Sequence, residues 1–260
     1  MITIFAVPKA FDVHFGIVQE NAIRSWREEC PNSEILLMGK EKGIEEIARK
    51  FQAKCVPDIK VNRWSTPYLN RLVEKVSQVA KFEILTLINA DCILVGNLEQ
   101  IVKTMCKRFS QFLAIAARYD SKIQEPLPIS NWRSFVLENK GIPHPLFRQT
   151  QGKKSVGGMD IWIFPKTLYP KIPPFLIGRL NWDSWLVSNV YERQIPIIDI
   201  SEEIFLIHQL HLLHKYKKEP IKTEIEINRQ LIIGIHKRFV KDANFILKDG
   251  KFEKNKEAFK

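Results

Sequence analysis

Short apolar runs alternate with amphipathic, helix-like segments over the first 90 residues, and this alternation is the strongest constraint on the fold. The apolar runs lie at residues 2–7, 34–38, 54–56 and 84–88, and the helix-like segments lie at 12–26, 43–51 and 66–80. Apolar runs of this length indicate buried strands, whereas apolar residues spaced three and four apart indicate one helix face. Strands that alternate with helices form a parallel sheet covered on both sides. We therefore predict an α/β chain with a mostly parallel sheet flanked by helices.

Two helix starts are predicted from residues that can cap or begin a helix. Asp12 can accept hydrogen bonds from the first free amides of a helix that includes Trp26. Thr66 and Pro67 predict the start of another helix, because threonine can cap it and proline gives up no hydrogen bond at the first helical position.

The composition is that of a globular protein with an excess of positive charge. The chain has 260 residues, of which 45% are apolar and 27% charged, and its formal net charge at pH 7 is +11. Residues 221–260 hold 10 Lys and Arg against 6 Asp and Glu, so +7 remains for residues 1–220, where acidic residues lie between the basic ones. No basic block stands out, so we expect no specific nucleic-acid partner, and polyanion binding is the least favoured hypothesis.

The cysteines and the apolar segments indicate the cellular compartment in which we expect the protein. The four cysteines, Cys30, Cys55, Cys92 and Cys106, form no C-x-x-C pair. Neither a disulfide framework nor a zinc ribbon is therefore expected, and a reducing cytoplasm is favoured. The N-terminal run lacks the flanks of a signal peptide, and no apolar stretch approaches the roughly 20 residues that span a bilayer. We predict a cytoplasmic protein without a transmembrane segment, for which peripheral membrane contact stays open.

An Asn-x-Asp segment follows the apolar run at residues 84–88. Asn89 and Asp91 would lie at the carboxyl end of that strand, where ligands of open α/β sheets bind and where a carboxylate can hold a divalent cation. The first strand leads into Val7, Pro8 and Lys9 instead of a glycine-rich phosphate loop. The alternative interpretation of Asn89 and Asp91 is a simple strand-closing turn.

The second half contains a glycine turn and a tryptophan-flanked acid. Residues 157–165 predict a glycine turn that leads into a strand, and residues 173–185 predict a proline-bounded loop that enters a helix. Trp182 and Trp185 would share one helix face, with Asp183 beside it in the first turn. Asp183 is then either a helix cap or a carboxylate in an aromatic site of the size of a sugar.

Three histidines recur at intervals of three after the β-branched run at residues 195–200. His208, His211 and His214 would share a helical face, and imidazole is a common metal ligand. The segment lacks the glutamate of the H-E-x-x-H motif, so a zinc protease is not indicated. Hydrogen-bonded or exposed histidines are the alternative, which we favour for His214.

Eight segments, in this order along the chain, resemble those of glycosyltransferases with the GT-A fold. They are IFAVPKAF, QENAIRSW, STPYLN, LINADCIL, AARYD, GGMDIWIFP, PPFLIGRLNWDSWL and IIDISEEIFLIHQLH. The resemblance implies a Rossmann-like sheet in a single domain at residues 1–220, with a nucleotide-sugar and metal half at 1–117 and an acceptor half at 118–220. Residues 221–260 then form a basic C-terminal extension.

The resemblance implies a donor site with a divalent cation, Mn²⁺ or Mg²⁺, as cofactor. It places Pro8 near the base and ribose of a nucleotide-sugar and Asn70 facing the donor. Asn89 and Asp91 correspond to the D-x-D motif that binds the metal and the diphosphate. Arg118 joins the predicted donor-binding residues, because a departing diphosphate needs positive charge.

The resemblance also implies an acceptor site and a base. Asp183 matches the carboxylate that acts as general base in inverting enzymes, and a sugar hydroxyl needs such a base because its pKa lies far above 7. His208 or His211 matches a C-terminal histidine that completes metal binding. The predicted acceptor-binding residues are Gly158, Asp160, Arg179, Trp182 and Trp185.

Three features depart from the family pattern. Asn89 replaces the first carboxylate of D-x-D, which predicts lower cation affinity and leaves metal independence open. Leucines 210, 212 and 213 replace polar neighbours of the histidines. Residues 221–260 match no motif, and we expect a terminal helix followed by a frayed tail.

The sequence thus predicts a metal-assisted glycosyltransferase, with inversion favoured over retention. Its partners would be a nucleotide-sugar donor and a glycan or lipid-linked acceptor. The alternatives are a catalytically degenerate protein that binds a nucleotide or glycan, and a basic polyanion-binding protein.

Overall fold

The computed structural model describes residues 1–13, 15–143, 158–210, 219–256 and 258. The strands in this part of the chain are β1 (Thr3–Ala6), β2 (Glu34–Met38), β3 (Lys54–Val56), β4 (Ile84–Ile88), β5 (Cys92–Val95), β6 (Leu113–Ser121), β7 (Ile142–Pro143), β8 (Met159–Pro165), β9 (Ile197–Asp199), β10 (Phe205–Gln209), β11 (Phe245–Lys248) and β12 (Lys251–Lys254). The helices are α1 (Gly16–Glu29), α2 (Ile44–Lys50), α3 (Leu69–Val79), α4 (Leu98–Cys106), α5 (Trp132–Glu138), α6 (Trp182–Glu192) and α7 (Ile221–Gln230). None of these helices is both long enough and apolar enough to cross a bilayer.

The strands form a mixed sheet in the order β12-β11-β9-β6-β8-β4-β1-β2-β3. Neighbours from β4 to β3 are parallel, and so are β6, β9 and β11, whereas β8 runs antiparallel between β4 and β6. The end of β6 leaves this order to pair with β10 and β7, and β10 also pairs with β5. Because β8 is reversed, its amino end lies beside the carboxyl ends of β4 and β6.

Helices cover both faces of the sheet, as the alternation of strands and helices predicts. Along β1, Ile4 and Ala6 enter one core with α1, α2 and α4, whereas Phe5 enters the other with α3 and α6. Successive side chains of a strand point to opposite faces, so a strand buried on both sides is apolar throughout. The predicted α/β architecture, a mostly parallel sheet flanked by helices, is confirmed.

Several predicted boundaries coincide with the structure, and both predicted helix starts are wrong. The runs at 34–38, 54–56 and 84–88 are strands with those bounds. Helix α3 begins at Leu69 instead of Thr66, because Pro67 and Tyr68 are extended and bridge to Val61 and Leu176. Asp12 accepts a hydrogen bond from the amide of Phe15 in a turn that precedes α1.

The C-terminal extension is built into the sheet and is not a frayed tail after its helix. Strand β11 pairs in parallel with β9, and β12 closes a hairpin on β11. On the other face, the buried side chain of Asn228 in α7 holds the loop before α6. Its Oδ1 accepts from the amide of Leu176 at 2.8 Å, and its Nδ2 donates to the carbonyls of Leu176 and Leu180 at 2.9 and 3.0 Å.

Truncation of the small side chain of Asn228 should therefore lower the free energy of unfolding strongly. Asn228→Ala leaves one buried amide and two carbonyls of the loop before α6 without their partner, and we expect a loss of about 3 kcal/mol in the free energy of unfolding. Urea denaturation followed by far-ultraviolet circular dichroism measures this loss. The exposed Gln230→Ala on the same helix is the control, with an expected change within about 0.5 kcal/mol. Equal losses in the two variants would contradict the assigned role.

Candidate functional site

Six polar residues from four strands meet at one edge of the sheet. Asn89 and Asp91 follow β4, Asp160 is the second residue of β8, Arg118 and Asp120 lie near the end of β6, and His208 lies on β10. The antiparallel register of β8 with β4 and β6 brings its start beside both strand ends. His208 pairs with Asp120 across the parallel ladder of β10 and β6.

Asp160 is the buried centre of this cluster. Its side chain accepts a hydrogen bond from Asn89 Nδ2 at 2.5 Å through Oδ1 and from Arg118 Nη1 at 2.5 Å through Oδ2. Backbone bonds reinforce both contacts, since the amide of Asn89 donates to the carbonyl of Asp160 and the amide of Arg118 donates to that of Gly158. Asp160 and Gly158, predicted for the acceptor, thus lie against Asn89 and Arg118, predicted for the donor.

A second set of contacts joins Arg118 to Asp91 through a histidine. Arg118 Nε lies 3.1 Å from Asp120 Oδ1, and that same oxygen lies 3.4 Å from His208 Nδ1. His208 Nε2 lies 3.7 Å from Asp91 Oδ2. Gln209 fixes the backbone here, because its amide and its Nε2 both donate to the carbonyl of Asp91, at 3.2 and 3.0 Å.

The charges of this cluster shift two basic groups in the same direction. Burial alone would lower the pKa of Arg118, but Asp160 and Asp120 outweigh it and the pKa of Arg118 is raised. Burial would also lower the pKa of His208, but the hydrogen bond to Asp120 and the charges of Asp91 and Asp160 raise that pKa above its ordinary value. The imidazole of His208 thus lies between the carboxylates of Asp120 and Asp91, which favour its protonated form.

Asp183 lies in the first turn of α6, as predicted, and is half-buried. Its burial raises its pKa, and the charge of Asp160 raises that pKa further, whereas the amide of Ser184 and the charge of Lys237 lower it. The structure therefore brings Asp183 within electrostatic range of the cluster around Asp160. A carboxyl group whose pKa is raised is a better proton acceptor when it is ionised.

The two tryptophans that flank Asp183 pack into the core. Trp182 lies 4.6 Å from Trp162 between ring centroids, and Trp185 lies 5.5 Å from Phe175. Both indoles are almost fully buried. These two rings therefore offer no open aromatic face to a sugar. Because the tryptophans are three residues apart on α6, both indoles face the sheet. Their assignment to an acceptor site stays a prediction.

Arg179 forms an ion pair with the C-terminal helix α7. Its Nη2 lies 2.6 Å from Glu224 Oε2, and Glu224 is fully buried in α7. Burial would raise the pKa of Glu224, but hydrogen bonds from Thr66, Asn62 and Arg179 lower it below its ordinary value. Arg179 thus orders the loop before α6, and its predicted contact with a substrate stays untested.

The remaining predicted residues occupy different places. Pro8 is buried two residues after the end of β1, and Asn70 lies in the first turn of α3. The Oδ1 atom of Asn70 is buried and has no hydrogen-bond partner among the described residues. His211 lies outside the described residues. The helix predicted to carry the histidines is wrong for His208, since it lies on strand β10, where β-branched and aromatic neighbours favour extended backbone.

Sequence reasoning missed Asp120 and Gln209. Arg118 and Asp120 are two apart on β6, so they share a face of that strand, and the AARYD segment carried this signal. Gln209 gave no comparable signal, since its role depends on the distant backbone of Asp91 and Val18.

The cluster offers two ligands for a divalent cation. Asp91 Oδ2 and His208 Nε2 face each other at 3.7 Å, which is compatible with a shared cation once the imidazole has lost its proton. The described residues contain no group of three or more His, Cys, Asp or Glu side chains arranged to hold a metal. A cation bound here would need substrate or water oxygens to complete its shell, as is usual for Mg²⁺ at phosphates.

No protein-family model and no curated protein matches this sequence. Solved structures do match in fold. Glucosyl-3-phosphoglycerate synthase from Mycobacterium tuberculosis, in complex with Mn²⁺ and UDP-glucose, matches with a TM-score of 0.52 and 12% identity, over 91% of this chain and 80% of that one.

Two further structures match over most of their length. A protein from Desulfovibrio desulfuricans designated a nucleotide-diphospho-sugar transferase gives a TM-score of 0.46 and 9% identity, over 90% of this chain and 97% of that one. A Bacillus anthracis protein designated a glucose-1-phosphate thymidylyltransferase gives 0.47 and 10%, over 88% and 96%. The resemblance in fold to the mycobacterial synthase confirms the prediction of a GT-A-like glycosyltransferase fold.

The contact between Asn89 and Asp160 predicts that Asn89→Asp, which creates a D-x-D sequence, destabilises the folded protein in a pH-dependent way. Asn89→Asp would place a second carboxylate at the 2.5 Å contact, so the pair must share a proton and its folded-state pKa rises above the unfolded value of about 3.9. The stability of the variant is then lost as the pH rises through that folded-state pKa and recovers as the pH falls.

Urea denaturation at neutral and mildly acidic pH measures this dependence. We expect a loss of about 1–3 kcal/mol at neutral pH that shrinks in acid. Asn89→Ala, which removes the hydrogen bond without adding charge, should lose stability equally at both pH values. The same pH profile in both variants would show that repulsion from Asp160 is absent.

Proposed function

We propose that this protein is a glycosyltransferase that moves a sugar from a nucleoside-diphosphate sugar to an acceptor hydroxyl. The observation that carries the proposal is the cluster of Asn89, Asp91, Arg118, Asp160 and His208 at the carboxyl ends of β4 and β6. Ligands of open α/β sheets bind at such strand ends. The four free cysteines fit the cytoplasmic location that we propose with it.

The donor side of the site requires positive charge opposite a leaving diphosphate. Arg118 keeps its guanidinium charged, and its side chain is held by Asp160 while remaining partly exposed. Asp91 and His208 are the residues that would hold a divalent cation, which would neutralise charge on the diphosphate. The mycobacterial synthase of the same fold is in complex with Mn²⁺ and UDP-glucose, which supports a divalent cation and a nucleotide-sugar donor.

The acceptor side requires a base, and Asp183 is our candidate. Burial and the neighbouring Asp160 raise the pKa of Asp183, which increases its basicity. An ionised Asp183 can take the proton of a sugar hydroxyl as that oxygen attacks the anomeric carbon and the bond from that carbon to the diphosphate breaks. A base on the acceptor side is the arrangement of an inverting transfer.

Nucleotide binding tests the donor site directly. We expect one member of a panel of UDP, GDP, ADP, CDP and dTDP to raise the melting temperature in the presence of Mn²⁺. At about 100 times its dissociation constant a ligand adds roughly 2.7 kcal/mol, which corresponds to about 5–10 °C for a chain of this size. Asp91→Ala should abolish the shift, whereas Glu83→Ala, which removes a carboxylate with 81% exposure, should keep it. No shift with any nucleotide would contradict the donor site.

Replacement of the proposed base should separate catalysis from donor binding. We expect Asp183→Asn to lower turnover by roughly 10²–10⁴-fold while the nucleotide-induced melting shift is retained. Transfer of radiolabelled sugar to a panel of glycan and lipid-linked acceptors measures the turnover. Asp249→Asn, an exposed substitution at the turn between β11 and β12, is the control. Full activity in Asp183→Asn would remove this residue from the mechanism.

The same variant should be more stable than the wild type at neutral pH. The folded-state pKa of Asp183 is raised, so its contribution to stability is present below the unfolded pKa of about 3.9 and is lost as the pH rises through the folded pKa. Asparagine carries no charge to bury, so the gain should vanish in acid. Urea midpoints across this pH range measure the difference, and a gain that persists in acid would have another origin.

A catalytically degenerate donor-binding protein is the second candidate. The observation that favours it is Asn89, whose amide is engaged by Asp160 and supplies no carboxylate to a cation. The two candidates differ in one measurement, since a degenerate protein would show the nucleotide-induced melting shift without hydrolysis or transfer of the donor sugar.

A further inference from the structure

Exposed apolar side chains occur on three segments that contact one another around α7. Eleven large apolar residues are exposed in the described part of the chain, and five of them lie on three segments that meet around α7. We call these five residues the apolar surface: Val61, Leu180, Ile227, Ile233 and Ile235. Ile233 and Leu180 are the most exposed of them, at 71% and 55%. Single exposed apolar residues are common, whereas a group of them marks an interaction site.

Buried polar side chains of α7 hold the three segments together. Glu224 accepts from Asn62 Nδ2 at 2.7 Å, which fixes the loop that carries Val61, and it pairs with Arg179 beside Leu180. Asn228 holds the backbone of Leu180. Beyond α7, the chain is fastened to α6 through Ser188, which donates to the carbonyl of His236 at 2.8 Å and accepts from the amide of Arg238 at 3.1 Å. These hydrogen bonds and the ion pair therefore hold the segments that carry the apolar surface in defined positions.

The segments that carry the apolar surface are rich in basic residues. Residues 227–241 contain four Lys and Arg and no Asp or Glu, and residues 59–66 contain Lys60 and Arg63 and no acid. Arg63 stacks on Trp64 at 4.0 Å. Glu226 and Asp242 partly offset this charge, through pairs with Arg229 and Arg238 at 3.4 and 3.3 Å. Apolar side chains on segments with basic residues and tryptophan are typical of surfaces that enter the headgroup region of an anionic bilayer.

A second copy of the chain would fit this surface less well. Most homodimers are two-fold symmetric, so the same patch would face itself. Lys237 and its basic neighbours would then approach their own copies, and the net charge of +11 opposes that approach. An anionic bilayer complements both the charge and the apolar residues.

The apolar surface borders the candidate site. Tyr68 bridges to Leu176, and the amide of Leu69 donates to the carbonyl of Phe175 at 2.7 Å, so the loop before α6 lies against the start of α3. These two helices carry Asn70 and Asp183 in their first turns. Lys237 is near enough to lower the pKa of Asp183 against the effect of its burial.

We propose that the apolar surface docks this protein on an anionic lipid bilayer, with Ile233 and its apolar neighbours among the acyl chains and the basic side chains at the headgroups. Docking itself requires no catalysis. The further statement that the acceptor is carried by a lipid rests on the proposed function, since docking would place Asp183 close to the headgroup plane.

Flotation with lipid vesicles tests the proposal with the full-length protein. We expect binding to vesicles of phosphatidylcholine with phosphatidylglycerol, weak binding to phosphatidylcholine alone, and a loss of affinity as salt is raised. The double variant I233D/I235D should bind at least about tenfold more weakly, because it removes apolar insertion and adds negative charge. Ile129→Asp is the matched control, since Ile129 is 95% exposed and its carbonyl is bound by Arg24 of α1; it should bind like the wild type.

Three results would overturn the proposal. They are no binding to anionic vesicles, equal binding of I233D/I235D and the wild type, or a dimer in light scattering that this variant dissociates while vesicles stay unbound. Melting temperatures confirm that the variants fold. No donor or acceptor is present on the vesicles, so a failure of docking is separate from a failure of the proposed function, which the nucleotide-induced melting shift reports in the same samples.

Discussion

The candidate site depends on the hydrogen bonds that the buried carboxylate of Asp160 accepts. Strand β8 runs antiparallel between two strands that share a direction, and this reversal places its second residue between their carboxyl ends. A buried carboxylate is tolerated only where donors satisfy both oxygens, and here Asn89 and Arg118 do so. This requirement gives a physical reason for asparagine at position 89. An amide at position 89 can donate to Asp160, whereas an ionised aspartate there would repel it.

From Arg118 onward the network is a series of opposite charges. Asp120 accepts contacts from both Arg118 and His208, and His208 reaches Asp91. Among the described residues of the cluster, the carboxylates of Asp91, Asp120 and Asp160 outnumber the one guanidinium, that of Arg118, and the negative charges of Asp91 and Asp160 help to raise the pKa of His208. A proton on the imidazole and a divalent cation beside it would answer the same excess of negative charge. They compete, because a metal binds the deprotonated nitrogen.

Local patterns predicted the parts of this protein that depend on neighbours in sequence. The strand before Asn89 and the helix that begins at Trp182 follow from runs and periodicities a few residues long. The strand has the predicted bounds, and the helix carries Asp183 in its first turn, as predicted. The histidine segment was interpreted as a helix because a spacing of three is helical, yet pairing with β5 and β6 makes it a strand. Likewise, the spacing of Trp182 and Trp185 defined a shared face but not what covers it. Contacts such as Asn62 with Glu224 join residues 162 apart, and no local pattern encodes them.

Contacts between residues far apart in sequence also connect the C-terminal segment to the candidate site, although this segment supplies none of the residues proposed for the site. Burying Glu224 is costly unless it is paired, and its partners Asn62, Thr66 and Arg179 all lie on the two loops that precede α3 and α6. Those loops set where the two helices begin, and therefore where Asn70 and Asp183 lie relative to the strand ends. A surface charge pair would hold the loops weakly, since exposed pairs contribute little. Full burial of Glu224 makes the position of both helices depend on α7, so residues that resemble no motif are part of the framework of the candidate site.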